Sequence, residues 1–207
     1  MKRKKTILAG LIAGVALLAS ATIGGAASPW EQQDVFGQGM GGPTVAPGGA
    51  KILRTATGVS ASLSMPTPVP DSYTYPQGDT ASGVPGHPEA FSLWVFVFFN
   101  PEECVGDCDG TDLQTNPDVV AGAFNGAGHV VGGPNLTLTG HVNHGTPTFG
   151  GPMAETLGQA LGQGFDLADA EIHLAVAPHG ALDPELLPAE IKTPVGNPDF
   201  WWMALFK

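Results

Sequence analysis

Phe91-Ser-Leu-Trp-Val-Phe-Val-Phe-Phe99 is the stretch that decides the fold. It is apolar on both parities, contains no helix breaker and is dense in β-formers. That composition describes a central strand buried on both faces. The segments around it alternate instead. Leu53, Val59, Ala61, Leu63 and Met65 share one parity, and Arg54, Ser60, Ser62 and Ser64 the other, as in a half-buried strand broken near Gly58. Downstream, Leu136, Leu138 and Val142 oppose Thr137, Thr139, His141 and Asn143. Ile172, Leu174 and Val176 likewise oppose Glu171, His173 and Ala175. Residues 200–206, Phe-Trp-Trp-Met-Ala-Leu-Phe, are apolar enough to close a core.

Turn signals separate these runs. Asn125-Gly126 is the preferred pair for a two-residue type I′ turn, which predicts a hairpin of residues 119–124 with 127–131. In that register His129 lies opposite Gly122. Gly132-Gly133-Pro134 turns the chain again, and residues 66–88 read as a long loop. Met153, Leu157 and Leu161 stand at helical spacing over residues 153–163, although Gly158 and Gly162 weaken that helix. The whole pattern predicts an all-β fold, a β-sandwich or small barrel of about seven or more short antiparallel strands with at most one short helix.

Charge narrows the classes of function. The 207 residues carry 19 Asp and Glu against 8 Lys and Arg, a net charge of -11. Four of the basic residues are Lys2, Arg3, Lys4 and Lys5; without them four cations face 19 carboxylates, a net of -15. Lys51, Arg54, Lys192 and Lys207 cannot build a phosphate-tracking stripe, so nucleic acid is excluded as a partner. Anionic membrane surfaces are disfavoured for the same reason. The 30 Gly and 19 Pro argue against a helical bundle.

The basic cluster opens a secretory signal of residues 1–27. An apolar run over residues 6–18 follows it, and Ala19-Ser-Ala21 and Gly25-Ala-Ala27 both offer cleavage sites. Cleavage at either site leaves no membrane anchor. Residues 28–50, with Gly37-Gln-Gly-Met-Gly-Gly-Pro43 and Ala46-Pro-Gly-Gly49, read as a flexible Gly/Pro-rich leader. A single domain is expected over residues 51–207.

Cys104 and Cys108 are the only cysteines, and in a secreted chain their close spacing predicts a disulfide. So small a ring contributes about 2 kcal/mol and clips one loop. Asp107, Asp109 and Asp112 overlap it and resemble part of a calcium loop. In the frame that aligns Asp107, Asp109 and Gly110, the twelfth position is Asn116, where a bidentate Glu is needed. A solvated acidic turn is the competing reading.

The histidines are His87, His129, His141, His144, His173 and His179. Glu171 and His173 share a strand face about 7 Å apart at Cα, and His179 continues that parity beyond Pro178. With His129 or His141 from a neighbouring strand, this set could bind zinc or copper, or work as an acid–base couple. Alternatively, His173 simply hydrogen-bonds a carboxylate or carbonyl on a polar sheet face. His141-Val-Asn-His144 could chelate only if the chain turns at residues 143–145. Gly37-x-Gly-x-x-Gly42 matches the dinucleotide fingerprint, but no strand precedes it and no helix follows.

Three motifs taken together resemble a group of uncharacterised secreted bacterial proteins. They are Trp94-Val-Phe-Val-Phe-Phe-Asn-Pro-Glu-Glu-Cys104, Ala127-Gly-His-Val-Val-Gly132 and Ala170-Glu-Ile-His-Leu-Ala-Val-Ala-Pro-His-Gly180. Leu53-Arg-Thr-Ala-Thr-Gly-Val-Ser-Ala-Ser-Leu63 fits the group's opening strand, and the resemblance spans residues 52–206. The group is distantly similar to chordin-type (CHRD) domains, which are all-β modules with a His-bearing strand. This chain has Ala177-Pro178 where the group carries Arg before the last His-Gly, and it lacks a downstream cysteine pair. No enzymatic activity attaches to the group. The expectation is therefore a secreted, non-catalytic module for a small ligand, an extracellular partner or an envelope role. The alternative is a zinc- or copper-binding protein or metalloenzyme built on the strand-face His and Glu residues.

Overall fold

A computed structural model describes residues 29–39, 41–69, 88–146, 167–193 and 201–207. Eight strands form one antiparallel sheet: β1 (Glu31–Phe36), β2 (Thr44–Thr55), β3 (Gly58–Pro66), β4 (Glu89–Phe98), β5 (Ala121–Val131), β6 (Asn135–Asn143), β7 (Glu171–Ala181) and β8 (Trp202–Phe206). Their order is β5-β4-β7-β8-β1-β2-β3-β6, and the sheet curls into a nearly closed barrel. The two end strands meet at a pair of glycines. A Cβ on Gly140 of β6 would lie 2.0 Å from the Gly126 carbonyl oxygen of β5, so only glycine permits that approach.

Alternate residues of each strand fill the interior. Phe91, Leu93, Val95 and Val97 of β4 point into it and meet Ile172, Leu174 and Val176 of β7. From across the barrel come Leu63 of β3, Leu138 of β6 and Phe206 of β8. Trp202 packs edge-on against Phe91, with ring centroids 6.2 Å apart. The other parity of β4 is buried too. Trp94, Phe96 and Phe98 form an outer cluster with Ala175, Ala177, Trp201 and Met203. Cys108 and Leu113, from the connection between β4 and β5, cover it. Burial of the 91–99 run on both faces is thus as its composition predicts, although β4 stands second in the strand order rather than at the centre.

The expected alternation is obeyed in β3 and β6 but not in β7, where a cover over the outward face buries both parities. In β3, Val59, Ala61, Leu63 and Met65 are buried while Ser60, Ser62 and Ser64 are half-buried. In β6, Leu136, Leu138 and Val142 are buried between exposed polar residues. The only α-helical turn among the described residues is α1 (Gly110–Thr115), six residues long. The helix expected over residues 153–163 lies outside the described residues, as do the signal of residues 1–27 and most of the long loop of residues 66–88. None of the described helices is long and apolar enough to cross a membrane.

Three expectations need correction. The stretch read as a flexible leader supplies β1 and the first half of β2, with Val35 and Ala50 fully buried. Its pairing is irregular, with register shifts around Val35, and Gly48 adopts φ +59. Side chains hold that kink: the Gly48 N–H donates to Asp34 Oδ1 at 2.7 Å, and Gln32 Nε2 donates to the Gly48 carbonyl at 2.8 Å. Few apolar anchors among many Gly and Pro hide a strand pair from periodicity.

Asn125-Gly126 is no turn. β5 runs straight through it beside β4, and Gly126 is an extra residue between the pairs Trp94↔Asn125 and Leu93↔Ala127. A ten-residue strand buried on both faces needs an equally long partner, and that tertiary demand overrides the local turn preference. His129 consequently pairs with Phe91 rather than Gly122. Third, Arg54 is inward-facing: it follows Ala50 and Ile52 on their parity and closes one end of the barrel. Its Nε donates to Glu31 Oε1 at 2.7 Å, and its Nη1 donates to the carbonyls of Leu167, at 2.6 Å, and Ala170.

Candidate functional site

β7 carries two polar groups on its outward, covered face. Glu171 and His173 are adjacent on that parity, and the β4–β5 connection buries both to 5% and 2% exposure. His173 Nε2 lies 2.7 Å from Glu171 Oε1, and the ring stacks obliquely on Phe98 with centroids 5.0 Å apart. The same Glu171 oxygen accepts the Cys108 N–H at 3.0 Å. One carboxylate therefore ties the strand to the loop above it.

That loop is held at several further points. Cys104 and Cys108 form the expected disulfide, with Cα atoms 5.2 Å apart. Asp109 is the N-cap of α1, accepting from the Thr111 and Asp112 N–H groups at 2.6 and 3.1 Å. Asp112 reciprocates by accepting the Asp109 N–H at 3.2 Å, completing a capping box, and its other oxygen accepts the Val105 N–H at 3.2 Å. Asp107 pairs with Lys207, whose ammonium hydrogen-bonds it and holds its carboxyl below the usual range. At the tip, Gly106 adopts φ +89 and Val105 projects with 87% of its surface exposed.

At the other end of β7 lies a second buried polar group. β7 bulges there: Pro178 pairs with Phe91 and Gly180 with Ala90, so His179 is the extra residue, and Gly180 takes φ +83. His179 Nε2 lies 2.8 Å from Ser92 Oγ, and Trp94 Nε1 donates to the same hydroxyl at 2.9 Å. Indole is a donor only, so Ser92 Oγ accepts from Trp94 and shares one further hydrogen bond with His179 Nε2. Burial lowers the His179 pKa to about 4, which keeps the ring neutral. Among the described residues Nδ1, which is buried, has no hydrogen-bond partner.

Ser92 and His179 resemble a nucleophile–base couple only in contact. Among the described residues no carboxylate hydrogen-bonds Nδ1 to raise the ring's basicity, and the indole N–H draws electron density from the Ser92 oxygen. At 0% and 2% exposure both side chains are closed off from solvent. A 3-10 turn, Glu190–Lys192, closes over the same region. Gly128 pairs with Ser92, and a Cβ on Gly128 would come within 2.5 Å of Ile191 Cβ. Asn125 Nδ2 donates to the Ile191 carbonyl at 3.1 Å.

The candidate metal set is not assembled. Glu171 and His173 touch, but His179 lies six residues along the strand, roughly 20 Å away by strand rise. His129 is exposed on β5. His141 is exposed on β6, where Nδ1 lies 2.8 Å from Ser60 Oγ. His144 follows β6 in a turn with Gly145 at φ +78, and His87 lies outside the described residues. Asp107, Asp109 and Asp112 spend their oxygens on Lys207 and backbone N–H groups instead of converging as a calcium cage. Among the described residues no three His, Cys, Asp or Glu side chains come together in a way that could hold a metal ion.

Ser92, Trp94 and Arg54 belong to the buried polar framework although spacing arguments pass them over. Ser92 had a signal: it is the one hydrogen-bonding aliphatic side chain in the apolar 91–99 run, and a polar group there must find a partner. Compared with protein-family models, curated proteins and solved structures, the chain gives no match in any of the three.

Proposed function

We propose that the protein is a secreted, non-catalytic binding module with an extracellular or envelope-associated role. One observation carries this reading: the reactive side chains are used up in holding the chain together, and the result is a rigid, outward-pointing loop. The Glu171 carboxylate engages His173 and the Cys108 N–H, the Ser92 hydroxyl engages His179, and all four side chains are nearly inaccessible. Disulfide, capping box and ion pair then converge on a tip where Val105 keeps 87% of its surface exposed. Fixing such a tip before contact lowers the ordering cost that association must meet.

A broad hydrolase panel on the folded protein tests the reading. No turnover above a Ser92→Ala control is expected, and robust turnover that the control abolishes would sink it. Elemental analysis of protein purified without chelator addresses the zinc or copper alternative. Stoichiometric metal that disappears in His173→Ala would replace the present reading with that one.

A further inference from the structure

We propose that the outward face of β3 and β6 is a docking surface for a neutral polysaccharide, an inference that rests on the binding-module reading and names its ligand class. β6 presents Asn135, Thr137, Thr139, His141 and Asn143 to solvent, every outward position of the strand. β3 sets its serines beside them in register: Ser60 with His141, Ser62 with Thr139 and Ser64 with Thr137. These pairs hydrogen-bond laterally at 2.8, 3.3 and 2.9 Å. The lateral bonds fix the side-chain rotamers, and each hydroxyl keeps a further lone pair for an outside donor. The result is a grid of neutral donors and acceptors, spaced about 4.8 Å across the strands and about 7 Å along them.

Charge selects the occupant. The chain carries 19 acidic residues, yet none lies between Asp34 and Asp71 or between Asp118 and Glu155. β2, β3 and β6 all fall inside those acid-free intervals. Among the described residues no Asp, Glu, Lys or Arg lies on β3 or β6, so the face offers a cationic ligand no carboxylate; Lys51 on β2 stands opposite Ser62 in register. The face is convex and has no Phe, Tyr or Trp on β3 or β6, so it cannot enclose or stack a single sugar ring. Hydrogen bonds made at an exposed face displace water and are individually weak. A ligand must therefore repeat its hydroxyl groups along a chain and bind through many of them at once.

Affinity electrophoresis of the full-length protein decides this, with native gels containing dextran, hydroxyethyl cellulose or alginate. Retardation by a neutral polymer is expected, without competition from millimolar cellotetraose. Thr137→Asp with Thr139→Asp should weaken it by about tenfold, and Thr137→Ala with Thr139→Ala, which adds no charge, by a smaller factor. Near-UV circular dichroism should be unchanged in both. The proposal is overturned by absence of retardation in both neutral gels, by retardation in alginate alone, or by full affinity in both double variants. None of those results touches the binding-module reading, which fails separately if the hydrolase panel shows Ser92-dependent turnover.

Discussion

Two outer faces of the same barrel follow opposite rules. On β4 and β7 the outward side chains are covered, so Trp94, Phe96 and Phe98 are apolar and Ser92, Glu171, His173 and His179 each hydrogen-bond a neighbour. Nδ1 of His179 is left over, with no partner among the described residues. On β3 and β6 the outward side chains meet water, so short polar residues suffice and pair only sideways. The interiors behind the two faces are alike; the cover makes the difference. A polar residue under cover must be satisfied or it destabilises the fold, whereas the same residue type on the bare face is close to neutral in stability.

That contrast can be broken by substitution. The largest effect is expected for Trp94→Ala, which empties the covered side and leaves Ser92 without its donor. It should cost about 3–5 kcal/mol in urea unfolding. A loss under 1 kcal/mol would mean the cover is not packed.

Next comes acidity. The folded-state pKa of His179 lies below the unfolded value of 6.5, at about 4, so the unfolded chain takes up the proton first. Stability from the neutral ring is present above pH 6.5 and is lost as pH falls from 6.5 towards 4, by about 3 kcal/mol over that window. Urea midpoints should fall across it, and His179→Gln should flatten that slope. An unchanged slope in the variant would assign the loss to other groups.

Glu171→Ala should cost about 2 kcal/mol, because it strands a buried imidazole and the Cys108 N–H together. It should also speed amide exchange in the Cys104–Cys108 loop, a change that simple loss of packing would not localise there. Smallest of all, Thr139→Ala on the bare face should shift stability by no more than about 0.5 kcal/mol. A large loss there would erase the distinction between the faces.

The two faces also differ in how far the sequence discloses them. The bare face is written plainly, because solvent on one side and core on the other impose strict alternation from Leu136 to Asn143. The double burial of β4 is equally plain from residues 91–99. What lies over β4 is not, since cover comes from residues distant in sequence. Spacing alone finds Glu171 beside His173 and the disulfide, yet it cannot show that Asp109 and Asp112 cap a helical turn or that His179 is turned towards Ser92 by a bulge. Asn125-Gly126 misleads for a related reason: a turn preference counts only when no longer-range partner competes for the strand, and here β4 does. In β1 and β2 the glycines and prolines suppress periodicity while backbone pairing persists.

The pairing of β1 with β8 sets an order of events. Phe36 stands opposite Met203, and the Gly39 N–H donates to the Trp201 carbonyl at 2.7 Å. The strand order passes from β8 to β1 through that junction, which joins two residues separated by nearly the whole chain. A ribosome delivers residue 36 long before residue 203, and contacts this distant in sequence form late. Until β8 is made, β1, β2, β3 and β6 can associate with one another, as can β4, β5 and β7, but the wall between β7 and β1 stays open. Residues 201–207 act as a keystone, and removing them should leave β7 and β1 as two raw edges.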